Sequence, residues 1–385
     1  MNTSKIVVEA YDGKIPLSTW LKDFFRQHKQ MGSKDRKIIS QAVYSFYRLG
    51  HSLNNFSPDE KIQIGLYLCN KSSNELLAYF KPAWNDTISL ALPEKVARLE
   101  KESIFWTADA VFPWKEELSD RINKDFFSLS HLQQPDLFLR IRPHQQDIVS
   151  RKLTGAGIPF CKLTDDCIVL ANATKIDQLL RIDEEVVIQD YNSQQVGSFF
   201  HPHNETLEHP TLSLWDCCAG SGGKSIMAFD LNPQIKLTVS DARVSILQNL
   251  EQRFQHAGIT KYNSHVTDLS LAGGSMPGKF DCVIADVPCS GSGTWARTPE
   301  QLYFFDSKKI NYYSDLQKKI VSNIIPKIND SGKLVYVTCS VFKKENEEIV
   351  NFIRQNLGLQ LQTMEILAGY EMKADTMFVA VFGKG

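Results

Sequence analysis

The stretch Leu212-Ser-Leu-Trp-Asp-Cys-Cys-Ala-Gly-Ser-Gly-Gly-Lys224 decides how the rest of the chain is read. Leu212, Leu214 and Trp215 supply the apolar run of a buried strand. Gly220, Gly222 and Gly223 supply a sharp turn that lets backbone come close to a ligand, because glycine lacks Cβ. Ser225-Ile-Met-Ala-Phe229 then has the apolar content of a helix packing back on a sheet. A glycine turn at the carboxyl end of a strand is where an open α/β sheet binds nucleotide-like ligands. Three ligand readings compete with a merely structural turn. A phosphate loop needs Gly-x-x-x-x-Gly-Lys-Ser; Gly223-Lys224-Ser225 fits its end, but Cys218 stands where the first glycine belongs. A dinucleotide loop, Gly-x-Gly-x-x-Gly, finds only Gly220 and Gly222, with Ser225 at the third place. An S-adenosylmethionine site has no pyrophosphate to cradle and needs an acid ending the next strand, to hold the ribose hydroxyls. Lys236-Leu-Thr-Val-Ser240 is that strand and Asp241 ends it, 21 residues after Gly220.

Towards the carboxyl terminus the alternation continues. Arg243 to His256 reads as a helix with Val244, Leu247, Leu250 and Phe254 on one face. Strands follow at 263–267, ending at Asp268, and at 279–285, ending at Asp286. A long helix is expected over 308–328 with Gly332 just past its end, then a strand over 334–338 ending at Cys339, a helix over 343–355, and a final strand pair at 359–366 and 376–381. This order implies a doubly wound, mostly parallel α/β sheet with Asp241, Asp268, Asp286, Cys289 and Cys339 along its ligand-binding edge.

Towards the amino terminus, residues 16–80 read as helical throughout, with Ser33 as an N-cap. The turn Arg26 to Lys37 carries Arg26, Lys29, Lys34, Arg36 and Lys37; a solvated turn and a phosphate-contacting one are both open readings. Trp84, Trp106 and Trp114 read as core or interface anchors. Leu137-Phe-Leu-Arg-Ile-Arg142 alternates as a strand with Arg140 and Arg142 on one face, free for a backbone phosphate or for water. A helix at 147–153 and short strands at 168–170 and 186–188 complete a small α+β module. Three units are expected: a helical one over 1–112, the α+β module over 113–204 and a catalytic domain over 205–385.

Composition narrows the class. The formal net charge is −1, so any basic surface must be local. Eight cysteines without a Cys-x-x-Cys pair argue for a reducing compartment and against a zinc ribbon or a disulfide framework. His201, His203 and His209 have no carboxylate or cysteine at ligand spacing, so no metal is expected. The stretch Met1-Asn-Thr-Ser-Lys5 lacks a signal-peptide core, and no apolar run approaches membrane-spanning length. A cytoplasmic monomer with no membrane partner is expected.

Two tight motifs carry the chemistry: Asp286-Val-Pro-Cys-Ser-Gly-Ser-Gly-Thr294 and Val337-Thr-Cys-Ser-Val341. Each sets a cysteine just past a buried strand, among polar and flexible residues. Two thiols, a carboxylate and a sulfonium methyl donor suit methylation at carbon 5 of cytosine. A thiolate adding to carbon 6 makes carbon 5 nucleophilic, and an acid at ring nitrogen 3 takes up the developing charge. The base must leave its stack to reach the pocket. The residues alone do not choose between the two thiols.

These motifs resemble the RsmB-like (Sun/Nop) RNA cytosine-5 methyltransferases from about Gln189 onward. The family's loop Cys-Ala-Ala-Pro-Gly-Gly-Lys stands here as Cys218-Ala-Gly-Ser-Gly-Gly-Lys224, and its Gly-Phe-Phe-x-Ala ending as Asp375-Thr-Met-Phe-Val-Ala380. The resemblance implies a class I, Rossmann-like fold. It implies S-adenosylmethionine held by Cys218, Ala219, Gly220, Ser221, Gly222, Gly223, Lys224, Asp241, Asp268 and Asp286, with Asp286 also near the cytosine. It implies Cys339 as nucleophile and Cys289 as the residue that assists product release. The segment Gly32 to Arg48 also resembles the NusB-like RNA-binding domain of bacterial members. That likeness turns the basic turn towards RNA contact through Arg36 and Lys37, beside Arg140, Arg142 and Arg297, and favours 16S ribosomal RNA over transfer RNA as substrate. The rival readings are a phosphate-loop NTPase and a non-catalytic RNA-binding assembly factor on the same scaffold.

Overall fold

The computed structural model describes residues 1–200, 212–271, 276 and 278–384. The chain divides into two compact units. The first holds Met1–Leu118, Asn123–Gln134 and Thr294–Ser307; the second holds Ser119–Ile122, Pro135–Gly293 and Lys308–Gly385. The three histidines His201, His203 and His209 lie outside the described residues.

The first unit is helical. Its main helices are Leu17–Gln27, Ser33–Arg48 and Pro58–Cys69. Leu17, Leu21, Phe25, Ile39, Val43, Phe46, Ile62 and Leu66 recur at helical spacing and are buried, as the periodicity requires. Ser57 caps the third helix: its Oγ accepts the Glu60 N–H while Glu60 accepts the Ser57 N–H, with Pro58 pre-set at the first turn. The cap of the second helix is Gly32 and not Ser33; Asp35 reaches back to accept the Gly32 N–H at 3.0 Å, and Ser33 is already helical. Trp84 and Trp106 are buried. Arg48, 4% exposed, uses Nη1 to donate to the carbonyls of His131, Gln133 and Ala296. One guanidinium thus ties the helix end to two later segments of the same unit.

The second unit holds two sheets. The smaller is antiparallel, in the order β2-β3-β1-β4, from β1 (Leu137–Ile141), β2 (Cys161–Thr164), β3 (Cys167–Leu170) and β4 (Val186–Ile188). The larger has the order β10-β11-β9-β8-β5-β6-β7. Its strands are β5 (Ser213–Asp216), β6 (Lys236–Asp241), β7 (Tyr262–Val266), β8 (Phe280–Asp286), β9 (Ile328–Thr338), β10 (Gln360–Leu367) and β11 (Met377–Gly383). β5 to β9 are mutually parallel and β11 runs antiparallel to β9. The inner strands β5, β6, β8, β9 and β11 are buried on both faces, as in helix-covered parallel sheets, while the edge strands β7 and β10 are largely exposed or half-buried. Period-2 alternation sends Leu214, Ile284, Val335 and Val379 to one face, against Ile226, Leu247, Leu250 and Phe254. Their neighbours Trp215, Val283, Tyr336 and Phe378 go to the other, against Ile320, Val321, Ile349 and Ile353.

Four expectations change. Val244 begins its helix 56% exposed, whereas Leu247, Leu250 and Phe254 are buried. The long helix runs Lys308–Ile324 and stops there, since Pro326 follows two residues later. Ile328 to Thr338 is strand, so Gly332 lies within β9 instead of past a helix. Arg140 and Arg142 do not face solvent: both pair with Asp230 of the helix Gly223–Leu231, at 2.6 Å each. Arg142 also donates to the carbonyls of Asp183 and Ala257. The arginine face of β1 is a buried seam within the second unit.

Candidate active site

The glycine turn after β5 is built as its composition dictates. Gly222 caps the helix Gly223–Leu231 at φ +84°, in the left-handed region. A Cβ there would lie 2.9 Å from Phe254 Cε1 and 3.0 Å from Leu250 Cγ, so both backbone angle and space demand glycine. Behind the turn, Trp215 Nε1–H donates to Ser240 Oγ, and Ser225 donates its hydroxyl to Asp216 Oδ2 at 2.6 Å. Asp216 is fully buried, and its Oδ1 has no hydrogen-bond partner among the described residues. Burial pushes its pKa up to about 7, with the Ser225 hydrogen bond pulling the other way.

A cleft of about 620 Å³ opens along the carboxyl ends of β5, β6, β7, β8 and β9. Cys218, Gly220, Asp241, Asp268, Asp286, Cys289 and Cys339, all singled out from sequence, line it. Ala219, Ser221, Gly222 and Gly223 form the turn behind; Ala219 N–H donates to Ser240 O and Ser221 Oγ accepts from Arg253. Asp241 accepts the Gly220 N–H at 3.1 Å and both N–H and Nε–H of Arg243 at 3.0 Å. Burial works against its charge, but the Arg243 bonds hold its pKa below the ordinary value. Asp268, exposed, is lowered by the hydroxyl and N–H of Ser270. Lys224 lies 2.7 Å from Asp286 Oδ2. Burial disfavours its charge, yet Asp286, and after it Asp216 and Cys339, raise its pKa.

The two sulfurs meet. Cys289 Sγ and Cys339 Sγ are 3.3 Å apart, in hydrogen-bond contact and well outside the roughly 2.05 Å of a disulfide. Their loops are knit by backbone: Gly293 N–H donates to Cys339 O at 2.8 Å, and Thr376 N–H to Gly293 O at 2.9 Å. A Cβ on Gly293 would lie 2.0 Å from Thr376 O. Contact with Cys339, together with burial, pushes the Cys289 thiol up.

Sequence reading missed Asp216, Arg243, Tyr312, Tyr313 and Glu345. Tyr312 is 63% exposed and, with Tyr313, lines the thiol end of the cleft. An acid closing an apolar strand is a signal that would have found Asp216. The aromatic pair on an otherwise polar helix start would have found the tyrosines. Of the proposed basic contacts outside β1, Lys37 is exposed and Arg36 half-buried, its Nε donating to Met31 O; Arg297 is half-buried.

Residues 200–381 match the family model described as 16S rRNA methyltransferase RsmB/F. That match covers just under half of the chain, and over it the chain is similar to the RsmB-like (Sun/Nop) family. Ribosomal RNA small subunit methyltransferase B of Xanthomonas campestris is 27% identical over 212 residues, covering 52% of this chain and 47% of that protein. The chain spans about half the length of the curated relatives it matches. Among solved structures, PH0851 superposes with a TM-score of 0.72 at 16% identity, over 96% of this chain and 95% of that one. NSun6 from Pyrococcus horikoshii, solved with SFG, superposes with a TM-score of 0.61 at 12% identity, over 71% of this chain and 97% of that one. At such identities the likeness is one of fold, the class I Rossmann-like methyltransferase fold.

The residues present fit S-adenosylmethionine as the cofactor. Asp241 offers a charged acceptor at the strand end where ribose hydroxyls bind. Asp241, Asp268 and Asp286 make an acidic lining, which suits a cationic sulfonium and repels a triphosphate. Lys224, the cation a phosphate loop would need, is held by Asp286.

Proposed function

We propose that this chain methylates carbon 5 of a cytosine in RNA, with 16S ribosomal RNA the favoured substrate. The contact between the Cys289 and Cys339 sulfurs, in the same cleft as Gly220 and Asp241, carries the reading. S-adenosylmethionine, when bound, supplies an electrophilic methyl group. Cys339 is the nucleophile: its thiolate forms a bond to carbon 6 of the ring, and the electron pair displaced moves to carbon 5. Asp286, held through Oδ2 by Lys224, meets ring nitrogen 3 with its other oxygen, and a proton carried on that oxygen passes to the nitrogen as the ring takes up negative charge. Once carbon 5 is substituted, its proton passes to water, the C–H electron pair reforms the carbon 5–carbon 6 double bond, and the carbon–sulfur bond breaks, returning Cys339 as thiolate. Cys289, kept as a thiol by contact with Cys339, assists that release. The helical first unit, with Arg36 and Lys37, is the part assigned to holding RNA by phosphate contact. Arg140 and Arg142 take no such role, because Asp230 occupies both.

The test uses purified protein, methyl-labelled S-adenosylmethionine and unmodified 16S and transfer RNA transcripts. Cys339→Ala is expected to abolish transfer. Cys289→Ala is expected to accumulate a protein–RNA adduct that survives denaturing electrophoresis. Full activity of Cys339→Ala, or an adduct in that variant instead, overturns the assignment; label entering transfer RNA alone overturns the substrate.

A further inference from the structure

One buried side chain joins the two cysteine loops and has no part in the chemistry above. Glu345 is 0% exposed and follows Cys339 by one short turn, Lys343–Glu345. Its Oε1 accepts the Ser340 hydroxyl at 2.9 Å, next to Cys339. Its Oε2 accepts the Ser290 N–H at 2.8 Å, next to Cys289, and the Gln317 amide at 3.2 Å. The same Gln317 amide donates to Pro288 O at 3.0 Å, and Tyr336 donates its hydroxyl to Glu345 O at 2.7 Å. Ser290, Ser292 and Ser340 close a triangle of hydroxyls, 3.0 to 3.3 Å apart, across the two loops. Only neutral donors hold this carboxylate; among the described residues no cation pairs with it.

A buried carboxylate without a cation is costly, so packing alone does not account for it. We propose that Glu345 is a positioning residue: it ties the Cys289 and Cys339 loops into one frame and gives the thiol pair its polarity. The frame follows from the hydrogen bonds, since each oxygen reaches a residue adjacent to a different cysteine. The polarity follows from the bond on the Cys289 side. Glu345 Oε2 holds the Ser290 N–H, next to Cys289, and its charge opposes ionisation of that thiol. A negative group tied to the Cys289 loop keeps the proton on Cys289 and leaves Cys339 as the freer nucleophile of the two.

The inference rests on the reading that these thiols do the chemistry, but its test needs no RNA. Full-length protein is treated with iodoacetamide, and alkylation of each cysteine is followed by site-resolved mass spectrometry. In the wild type, Cys339 is expected to react at least about threefold faster than Cys289, which holds its proton. Glu345→Gln keeps the shape of the strap and removes its charge, and is expected to bring Cys289 to within about twofold of Cys339. Ser340→Ala removes the arm beside Cys339 and two contacts of the hydroxyl triangle but leaves the Glu345 bond to the Ser290 N–H; Cys289 is expected to stay slow. An unchanged ratio in Glu345→Gln, or a wild type in which Cys289 reacts first, overturns the proposal. Failure of wild-type methyl transfer would overturn the proposed function and leave the alkylation ratio standing.

Discussion

The buried Asp216 behind the glycine turn makes a sharp pH prediction. Its carboxyl is fully enclosed, one oxygen holds the Ser225 hydroxyl, and the other has no hydrogen-bond partner among the described residues. Burial, aided by the nearby Asp286, pushes its pKa from 3.8 to about 7. An acid whose folded-state pKa lies above its unfolded one binds more protons folded than unfolded, so stability falls as pH rises across that gap. The stabilisation is whole below 3.8 and gone above about 7. Three pH decades at about 1.4 kcal/mol each come to about 4 kcal/mol. Asp216→Asn removes the titration. Its amide oxygen can still accept from Ser225, and its NH2, left without a partner, adds an offset of about 1–3 kcal/mol. That offset does not vary with pH, so the slope isolates the carboxyl. The assay is urea denaturation of both proteins, followed by circular dichroism, from about pH 5.5 to about pH 8.5. The free energy of the Asn variant relative to wild type should improve by about 2 kcal/mol between about pH 5.5 and about pH 7.5, then level off. A difference that stays flat over that range would mean Asp216 is already ionised there, and the account of its burial would be wrong.

Two further substitutions test the frame around the site. Gly222→Ala forces a side chain into the left-handed region and against Phe254 and Leu250; a loss of about 2–4 kcal/mol by the same denaturation assay is expected, with weakened S-adenosylmethionine binding by calorimetry. A stable variant that binds normally would show that the turn tolerates a different backbone path. Asp230→Ala leaves the guanidinium groups of Arg140 and Arg142 buried without an anion, which should cost about 3–5 kcal/mol. Near-neutral stability in that variant would put the arginines back in contact with water and restore them as phosphate ligands.

The larger sheet was legible because its strands end in chemistry. Apolar runs with period 2, each followed by an acid, a cysteine or a glycine turn, marked Cys218 to Lys224, Asp241, Asp286 and Cys339 without any knowledge of what lay beside them. What the sequence withheld was the partner of each polar face. The alternation in Leu137 to Arg142 separates two faces but does not say which is covered; the acid that covers the arginines, Asp230, lies about 90 residues on, in a helix chosen for its apolar content. Glu345 was hidden for a related reason. It opens a helix-like segment rich in charge, where an acid is ordinarily solvated, and only the folded loops turn Ser290, Ser340 and Gln317 towards it. Helix ends were missed where two local signals competed, as at Ile324, where Pro326 outweighed the continuing apolar spacing.

Meeting of the two thiols is a consequence of strand register and needs no special device to create it. β8 and β9 are parallel neighbours in which Asp286 pairs with Val337. Cys289 lies three residues beyond the first and Cys339 two beyond the second, so chains about 4.8 Å apart carry both sulfurs past the same edge. The strand order β9-β8-β5-β6 then sets Asp241 three strand spacings from Cys339, on the order of 14 Å along the edge. A ligand whose ribose is held at Asp241 must therefore extend along the edge, past Gly220, for its reactive end to come near the thiols. An extended nucleoside with a sulfonium tail satisfies that span, whereas a compact ligand gripped only at the glycine turn does not. The acidic lining between the two ends suits the positive charge of that tail. The same register explains why Gly293 and Glu345 matter: adjacent strands bring the cysteine loops together, and the loops need a close backbone contact and a shared carboxylate to keep sulfurs 3.3 Å apart from drifting out of reach of one ring.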